Sequence, residues 1–232
     1  MKRENIFTLI TVFAAFIFIT FTGVIFHQSI FRMLPLYVSL AVSAMQSRVN
    51  RYASLVGGVN SIIYAAVYMH YNLYASAMYA MLMSFPLQIV TFVLWSKQPW
   101  KQSTMLKKLT CKMRAAVVAG AIAAWVLVCV FLSGTASSYR ELDTAVTVTG
   151  IVATVLTMLS YCEYTAAMVV SGMLSIILYL FMIKDSPEQI TFLGYSVYSL
   201  VCSVTAFIRV RKIYDEQQTD KIKSEERCLK NT

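Results

Sequence analysis

The chain has 232 residues, of which 58% are hydrophobic and only 13% are charged. Because a water-soluble domain carries about 25% charged residues, this composition excludes a soluble globular protein with an ordinary surface. The net charge of +9 does not indicate nucleic-acid binding, since the basic residues lie at the ends of apolar segments, as topology signals do in membrane proteins. The composition predicts an all-α integral membrane protein in contact with the lipid bilayer.

Apolar segments long enough to cross a bilayer recur along the chain. A crossing takes roughly 20 mainly apolar residues. Each crossing segment must be helical, because lipid offers the backbone no hydrogen-bond partners. The first segment is expected to remain as a span, since its apolar run is longer than that of a signal peptide. Eight spans are predicted, in chain order Ile6–Phe26, Met33–Gln46, Tyr52–Met69, Leu73–Trp95, Ala115–Ser133, Thr144–Leu159, Thr165–Ile183 and Ile190–Ile208.

The basic residues predict the orientation of these spans. With eight spans, 17 of the 20 lysines and arginines fall on one side of the membrane. The other three are Arg32, Arg140 and Lys184. Cytoplasmic loops are enriched in lysine and arginine, so both termini are predicted to be cytoplasmic in a multi-pass protein of the plasma membrane. Residues 214–232 are expected to form a short charged cytoplasmic tail, either a frayed helical extension or disordered.

Two segments of the chain resemble each other. Gly58–Ile63 (GVNSII) matches Gly172–Ile177 (GMLSII), and Thr91 and Thr205 have the same separation of 114 residues. Because an odd linker span separates two three-helix units, the units would be parallel repeats, with a solute site near the midplane between them. We therefore predict a transporter domain over residues 1–213. It comprises repeat one at about 33–95, a linker helix at 115–133 and repeat two at about 144–208, a 3+1+3 SWEET-like core preceded by an extra N-terminal helix.

Catalytic patterns are missing from the sequence. It has no HExxH, GxSxG or P-loop motif, no CxxC pair among its five cysteines, and no charged residue near the centre of a span. His27 and His70 are expected at the outer ends of spans rather than at a metal. These features predict a protein that is not an enzyme and holds no cofactor or metal. The missing intramembrane carboxylate also argues against coupling to protons or sodium.

Neutral polar residues inside the spans are the candidates for a solute site. Buried amides and hydroxyls need partners, so they face other helices or a cavity, and hydrogen bonding between helices explains them about as well as a pocket. A pocket for an uncharged solute would need hydrogen-bonding groups and an aromatic wall. The predicted substrate-binding residues are Asn60, Tyr64, Gln88, Ser175, Tyr179 and Tyr198.

At these residues the sequence resembles the PnuC family of vitamin transporters. Gly57–Ala65 (GGVNSIIYA) is similar to the family pattern G-x-x-N-x-x-x-Y-A, and Leu73–Tyr74 to its L-Y-G. Pro86–Trp95 (PLQIVTFVLW) is similar to P-M-Q-x-x-G-x-x-x-W, and Asp143–Tyr164 to the segment that leads into the family's seventh helix. The family's two tryptophans in that helix fall on Thr165 and Met168. The family's asparagine in the same helix falls on Gly172, and its asparagine after L-Y-G in the fourth span falls on Ala80.

The resemblance implies facilitated diffusion of an unphosphorylated vitamin or nucleoside such as nicotinamide riboside, by alternating access, in the uptake of precursors for NAD biosynthesis. Trimers are known in that family, so a homotrimer is an expectation here. Two alternatives stay open, the second of them because of the altered positions. One is a substrate-capture subunit of a multi-subunit vitamin importer, and the other is a non-transporting relative with a degenerate pocket.

Overall fold

The computed structural model describes residues 3–70, 77–78, 80–131 and 139–230. The Leu73–Tyr74 part of the resemblance, the start of the predicted fourth span and the last residues of the fifth lie outside these ranges. The helices are α1 (Arg3–Ile25), α2 (Ile30–Ser47), α3 (Tyr52–His70), α4 (Phe85–Lys97), α5 (Cys111–Phe131), α6 (Arg140–Met158), α7 (Tyr164–Met182) and α8 (Ile190–Lys230). A π-helical turn, Ala80–Ser84, leads into α4, and a 3₁₀ turn, Pro187–Gln189, leads into α8.

Seven stretches of the described chain are helical, long and apolar enough to cross a membrane. They correspond to every helix above except α2. Arg32 and Pro35 lie inside α2 and lower its mean hydropathy. The protein is therefore an all-helical multi-pass membrane protein.

Local sequence signals position several helix ends. The Ser29 hydroxyl caps α2 by accepting a hydrogen bond from the Phe31 amide at 3.3 Å. Pro86 lies in the first turn of α4, where its missing N–H costs little. The π-helical turn comes directly before it. The sequence suggests a kink at Pro86, and the structure has an irregular helical turn at this point.

Six helices form two groups, which we name the first helix group (α2–α4) and the second helix group (α6–α8). In each group, neighbouring helices along the chain pack together. The groups also meet in a reciprocal way, because α2 packs on α8 and α4 packs on α6. A Cβ at Gly58 would lie 3.2 Å from Ile89 of α4, and one at Gly172 would lie 3.2 Å from Leu200 of α8. Glycine thus permits a close approach of the second and third helix in both groups.

Helix α1 packs against α2 and α8. Ile19 is fully buried in an apolar cluster that also contains Leu36 and Tyr198. The hydroxyls of Thr22 and Thr191 are hydrogen-bonded at 3.0 Å. Gly194 on α8 makes room for the Phe18 ring of α1, since a Cβ at this position would lie 2.1 Å from the ring. The extra N-terminal helix is therefore packed on the bundle.

The loop between α4 and α5 differs from the sequence expectation. It forms a small antiparallel hairpin, Pro99–Trp100 with Ser103–Thr104, which nothing in the apolar pattern predicts. The hairpin is joined to α8, which continues as a helix to Lys230, in agreement with the helical alternative expected for the tail. The Gln217 amide accepts from the Leu106 N–H and donates to the Thr104 carbonyl, both at 2.9 Å. These bonds give the extended part of α8 a partner.

Candidate solute-binding site

A polar cavity lies between the two helix groups. Its volume is about 220 Å³, and its wall comes from α2, α3, α4, α6, α7 and α8. The first helix group contributes Gln46, Ser54, Gln88 and Thr91. A cavity with this position contacts both groups at once, so a bound solute would respond to any change in their relative arrangement.

The second helix group lines the cavity with one repeated pattern. Residues spaced i, i+3, i+4 and i+7 lie on one face of a helix. Residues of the wall, all of them small or hydroxyl-bearing except Met168, follow this spacing on α6 (Gly150, Ala153, Thr154, Thr157), on α7 (Met168, Ser171, Gly172, Ser175) and, with slight variation, on α8 (Tyr195, Ser196, Ser199, Ser203). Three adjacent helices thus turn stripes of small polar residues toward the same space.

Most of these hydroxyls donate a hydrogen bond to a backbone carbonyl of their own helix. Thr154 donates to the Gly150 carbonyl at 2.9 Å, Ser175 to Ser171 at 2.9 Å and Ser203 to Ser199 at 2.9 Å. Thr91 on α4 and Thr157 on α6 bond in the same way, each at 2.7 Å. A hydroxyl has one hydrogen but two lone pairs. In this arrangement each of these hydroxyls can therefore accept a hydrogen bond from the cavity.

The amide of Gln88 supplies the opposite polarity. Its N–H groups are donors, and it lies against α3, where a Cβ at Gly57 would be only 3.1 Å from the Gln88 Cδ. Gln46 adds a second amide from α2. The first helix group therefore brings both amides of the described wall, each with donors and an acceptor, and the second group brings most of the hydroxyls.

Among the described residues that line the cavity, Tyr195 carries the only ionisable group and the only aromatic ring, and all the side chains are neutral. The Tyr195 hydroxyl lies 3.4 Å from that of Ser43 on α2. Among the described residues, no group of three or more His, Cys, Asp or Glu could hold a metal ion. The arrangement suits hydrogen bonding to a solute rather than proton or metal chemistry.

An apolar cluster lies beside the cavity, on the side of the α4–α5 loop. Trp95 is 3% exposed, donates from Nε1 to the Thr157 carbonyl at 2.7 Å, and packs edge-on against Tyr164. Leu106 and Leu109 of the loop belong to the same cluster, and Met168 packs on it from the cavity side. We name this cluster the floor. It links α4 of the first group directly to α6 of the second.

An ion pair flanks the floor on the loop side. The Glu163 carboxylate accepts from Arg114 at 2.7 Å and from the Leu109 N–H at 3.2 Å. The loop backbone also bonds the α6–α7 corner, since Lys107 N–H donates to the Ser160 carbonyl at 2.8 Å. Next to it, partial burial, reinforced by the Glu163 charge, raises the pKa of Cys162 to about 11. Glu163 thus anchors the loop rather than lining the cavity.

The structure places the six predicted site residues in different surroundings. Gln88 and Ser175 line the cavity. Asn60 is buried on α3 and donates to the Ser39 hydroxyl at 2.8 Å, while its Oδ1 has no hydrogen-bond partner among the described residues. The Tyr64 ring stacks on Tyr68, with centroids 5.7 Å apart.

The remaining two predicted residues also contact side chains outside the cavity wall. Tyr179 stacks on Phe192 at 5.8 Å. Tyr198 is 5% exposed and donates to the Leu40 carbonyl at 2.9 Å, within the cluster that holds α1. Their proposed contact with a solute stays a prediction.

The cavity also contains residues that the candidate list lacks, chiefly the hydroxyl stripes of α6 and α8. Their signal is present in the sequence as the i, i+3, i+7 spacing of Ser196, Ser199 and Ser203. Two of the positions where the chain departs from the PnuC pattern, Met168 and Gly172, face the cavity. Thr165, by contrast, is 1% exposed and bonds the Cys162 carbonyl.

Membrane-length helices around a neutral polar cavity define a multi-pass membrane transport protein. The model of the nicotinamide mononucleotide transporter family matches residues 29–209, and the chain belongs to this family. The resemblance to PnuC drawn from the motifs is thereby confirmed. A crystal structure described as that of the vitamin B3 transporter PnuC is similar in fold, with a TM-score of 0.75 at 23% identity over 93% of each chain. No curated protein sequence matched the chain.

Proposed function

We propose that this protein carries an uncharged or weakly charged vitamin or nucleoside, such as nicotinamide riboside, across the plasma membrane by facilitated diffusion. The observation that carries the proposal is the neutral polar cavity between the two helix groups. It lies in a chain of a transporter family. Buried polar groups are costly in a membrane protein unless they have partners, and a cavity lined with them suits a hydrogen-bonding solute. The same neutrality supports transport without ion coupling, and transport rather than catalysis.

The proposed mechanism is alternating access. In the described part of the chain, the main contacts between the two groups are those of α2 with α8 and of α4 with α6. Opening the α4–α6 contact would expose the cavity at the floor, and opening elsewhere would expose it to the other side. The reciprocal packing and the paired glycines Gly58 and Gly172 support a 3+1+3 arrangement of parallel repeats. In this arrangement α2 also crosses the membrane, which brings the seven apolar helices to eight spans. Helix α1 is the extra helix, and α5, none of whose residues is buried, is the linker.

The topology and domain division follow from the same proposal. Eight spans place the basic α4–α5 loop and the extended α8 on the cytoplasmic side, with residues 1–213 as the transporter domain and 214–232 as a cytoplasmic tail. The contacts between Gln217 and the loop support a common side for these two segments. A homotrimer in the bilayer stays a prediction, which mass measurement of the detergent-solubilised protein would test.

Uptake by the purified protein in liposomes tests the function. Facilitated diffusion predicts that labelled solute equilibrates across the membrane without ATP or an ion gradient. Uptake that required added ATP-driven partners would replace the carrier with a substrate-capture subunit. Neither uptake nor binding across a broad panel of vitamins and nucleosides would instead indicate a non-transporting relative.

Substitution of site residues separates a role in transport from a role in folding. Asn60→Ala and Gln88→Ala are expected to impair uptake more than they lower thermal stability. Asn60 is included because its buried Oδ1 is an acceptor without a partner in the described part of the chain. Normal uptake by well-expressed variants would contradict the assignment.

A further inference from the structure

Another pocket lies outside the central cavity, beside the α4–α5 loop. Its volume is about 640 Å³, and its wall comes from the loop, the first turn of α5, the α6–α7 corner and the middle of α8. Its charged lining residues are Lys108, Arg114, Glu163, Arg211 and Asp215. We propose that this pocket, which we name the basic pocket, binds the phosphate of an anionic phospholipid. The inference goes beyond the transport function and does not depend on it.

Two cations of the basic pocket are available to an anion. Neither Lys108 nor Arg211 forms an ion pair with any described residue. The Arg211 guanidinium lies over the Phe207 ring, with its Cζ 4.1 Å from the ring centroid. Stacking uses the face of the guanidinium, so its N–H groups remain at the edge, where they match the oxygens of a phosphate. The Lys108 Nζ lies 5.9 Å from the centroid of the Tyr214 ring and adds a second positive charge.

The two carboxylates of the pocket do not cancel this charge. Glu163 is compensated locally, because it accepts from Arg114 at 2.7 Å and from the Leu109 N–H at 3.2 Å. Asp215 follows Arg211 by one helical turn and is exposed, and an exposed pair of this kind contributes little. Three basic groups against two acidic ones leave the lining with one net positive charge.

The position of the basic pocket matches the level of lipid headgroups. The membrane-length stretches Cys111–Phe131 and Tyr164–Met182 both begin beside it, next to Arg114 and Glu163. On α8 the apolar stretch comes before Arg211. Headgroups occupy the polar layer on either side of the hydrocarbon core. The pocket therefore lies where three helices leave that core.

The apolar and charged residues of the pocket are ordered by depth in the membrane. Ala166 lies farther into the membrane along α7 than Glu163 does, and Phe207 lies one turn deeper along α8 than Arg211. A phospholipid has the same order, with its phosphate outside and its acyl chains toward the hydrocarbon. A soluble phosphate would use only the charged part. Because basic pockets between membrane helices bind anionic headgroups, this order favours a lipid.

The first test is lipid binding by the purified full chain in a non-ionic detergent. Phosphatidylglycerol is titrated against the protein, and bound lipid is counted by native mass spectrometry. Phosphatidylcholine with the same acyl chains and glycerol phosphate are the comparisons. We expect phosphatidylglycerol to bind at least about tenfold more tightly than either. Equal binding of phosphatidylcholine would overturn recognition of an anion, and equal binding of glycerol phosphate would overturn the assignment to a lipid.

A matched pair of double variants locates the bound lipid. Lys108→Gln with Arg211→Gln removes both available cations and should weaken phosphatidylglycerol binding about tenfold. Lys107→Gln with Lys212→Gln removes the same charge one residue away on each segment, outside the described lining, and should bind the lipid as the native protein does. Equal weakening in both would show that the lipid responds to the basic surface as a whole, which would overturn the site. If the first double variant does not fold, Lys108→Gln is compared with Lys107→Gln by the same criterion, since both lysines are exposed.

An acidic residue of the pocket tests the charge balance in the opposite direction. Asp215→Asn removes a carboxylate from the lining and should tighten phosphatidylglycerol binding by about threefold. Asp220→Asn is the matched control, because Asp220 is exposed on the same helix and outside the described lining. Equal affinities of the two variants would contradict a phosphate bound beside Asp215.

Cys162 reports whether the basic pocket is occupied, because it forms part of the wall. At alkaline pH, where the thiol reacts, phosphatidylglycerol should slow the alkylation of Cys162 and leave that of the exposed Cys111 unchanged. Phosphatidylcholine is the control lipid, and peptide mass spectrometry measures both rates. Slower alkylation of Cys162 with phosphatidylglycerol alone would support the proposal. Equal rates with the two lipids would place the bound phosphatidylglycerol elsewhere and would overturn it.

Discussion

The two helix groups are arranged alike but furnish the cavity differently. The first group brings amides, Gln46 and Gln88, and holds a further amide, Asn60, in its interior against Ser39. The second group brings hydroxyls on three helices, most of them bonded to their own backbone. Equivalent packing therefore does not require equivalent chemistry. The two halves are alike in how their helices approach and differ in the polar groups that they offer to the cavity.

The largest effect is expected where the two groups meet. Trp95→Ala removes the indole that joins α4 to the Thr157 carbonyl and leaves a cavity in the floor. Truncation of a buried tryptophan costs about 3–5 kcal/mol. We expect a marked fall in melting temperature together with loss of uptake. Trp100→Ala, in the partly exposed hairpin, is the control and should have a small effect. Similar stability of the two variants would mean that the floor does not hold the groups together.

The next effect isolates the amide side of the comparison. Gln88→Leu keeps much of the side-chain volume and removes one of the two amides, Gln46 and Gln88, that the first group offers to the cavity. Losing hydrogen bonds to the solute should reduce uptake roughly tenfold, while the melting temperature changes little. Initial rates in liposomes and a thermal melt of the same preparation measure the two effects. A melting temperature that falls in proportion to the uptake would instead assign Gln88 a structural role.

A smaller effect is expected from the glycine that lets this amide lie against α3. In Gly57→Ala the new Cβ would lie 3.1 Å from the Gln88 amide carbon, so the side chain has to shift by a few tenths of an ångström. We expect uptake to fall a few-fold. Gly120→Ala on α5 is a matched control, because nothing lies within 4 Å of the added carbon. The comparison fails if both alanine variants transport alike.

The smallest effect concerns the α6–α7 corner of the second group. Partial burial, with the Glu163 charge beside it, raises the pKa of the Cys162 thiol to about 11. A raised pKa means that the thiol stays protonated at pH 8 and reacts only as the pH rises toward 11. We expect alkylation of Cys162 to lag behind that of the exposed Cys111 at pH 8, as read by peptide mass spectrometry. In denatured protein the two cysteines should react at the same rate. If Cys162 still reacted more slowly there, the difference would come from the local sequence or the reagent and not from the fold.

The sequence predicts the helices well because the length of an apolar run is set by the thickness of the hydrocarbon. It does not predict the hairpin at Pro99–Thr104, which bonds Gln217 across more than a hundred residues. It also leaves open whether the tail is helical or disordered, and the structure has a helix to Lys230. Tertiary contacts of this kind leave no periodic signal in either segment.

The cavity is harder to predict for a related reason. Polarity singles out Gln88 and Ser175, which line it, and equally Tyr198, whose hydroxyl bonds the Leu40 carbonyl in the α1 contact. A residue type alone does not say which face of its helix meets the cavity, because that depends on how the helices cross. The stripe of Ser196, Ser199 and Ser203 carries more information than any one of its members, since three hydroxyls on one face of an apolar helix mark that face as lining a polar space.

The central claim is that the solute binds in the cavity between the helix groups, and ligand-dependent thermal stability tests it most directly. A solute present at 100 times its Kd stabilises the folded state by about 2.7 kcal/mol. The melting temperature of the purified protein is measured with and without ribose, uridine and nicotinamide riboside, alongside a Gln88→Leu, Ser175→Ala double variant. We predict a solute-dependent rise for the native protein that is lost in a folded double variant. An equal rise in both proteins would show that the solute binds elsewhere and would contradict the account.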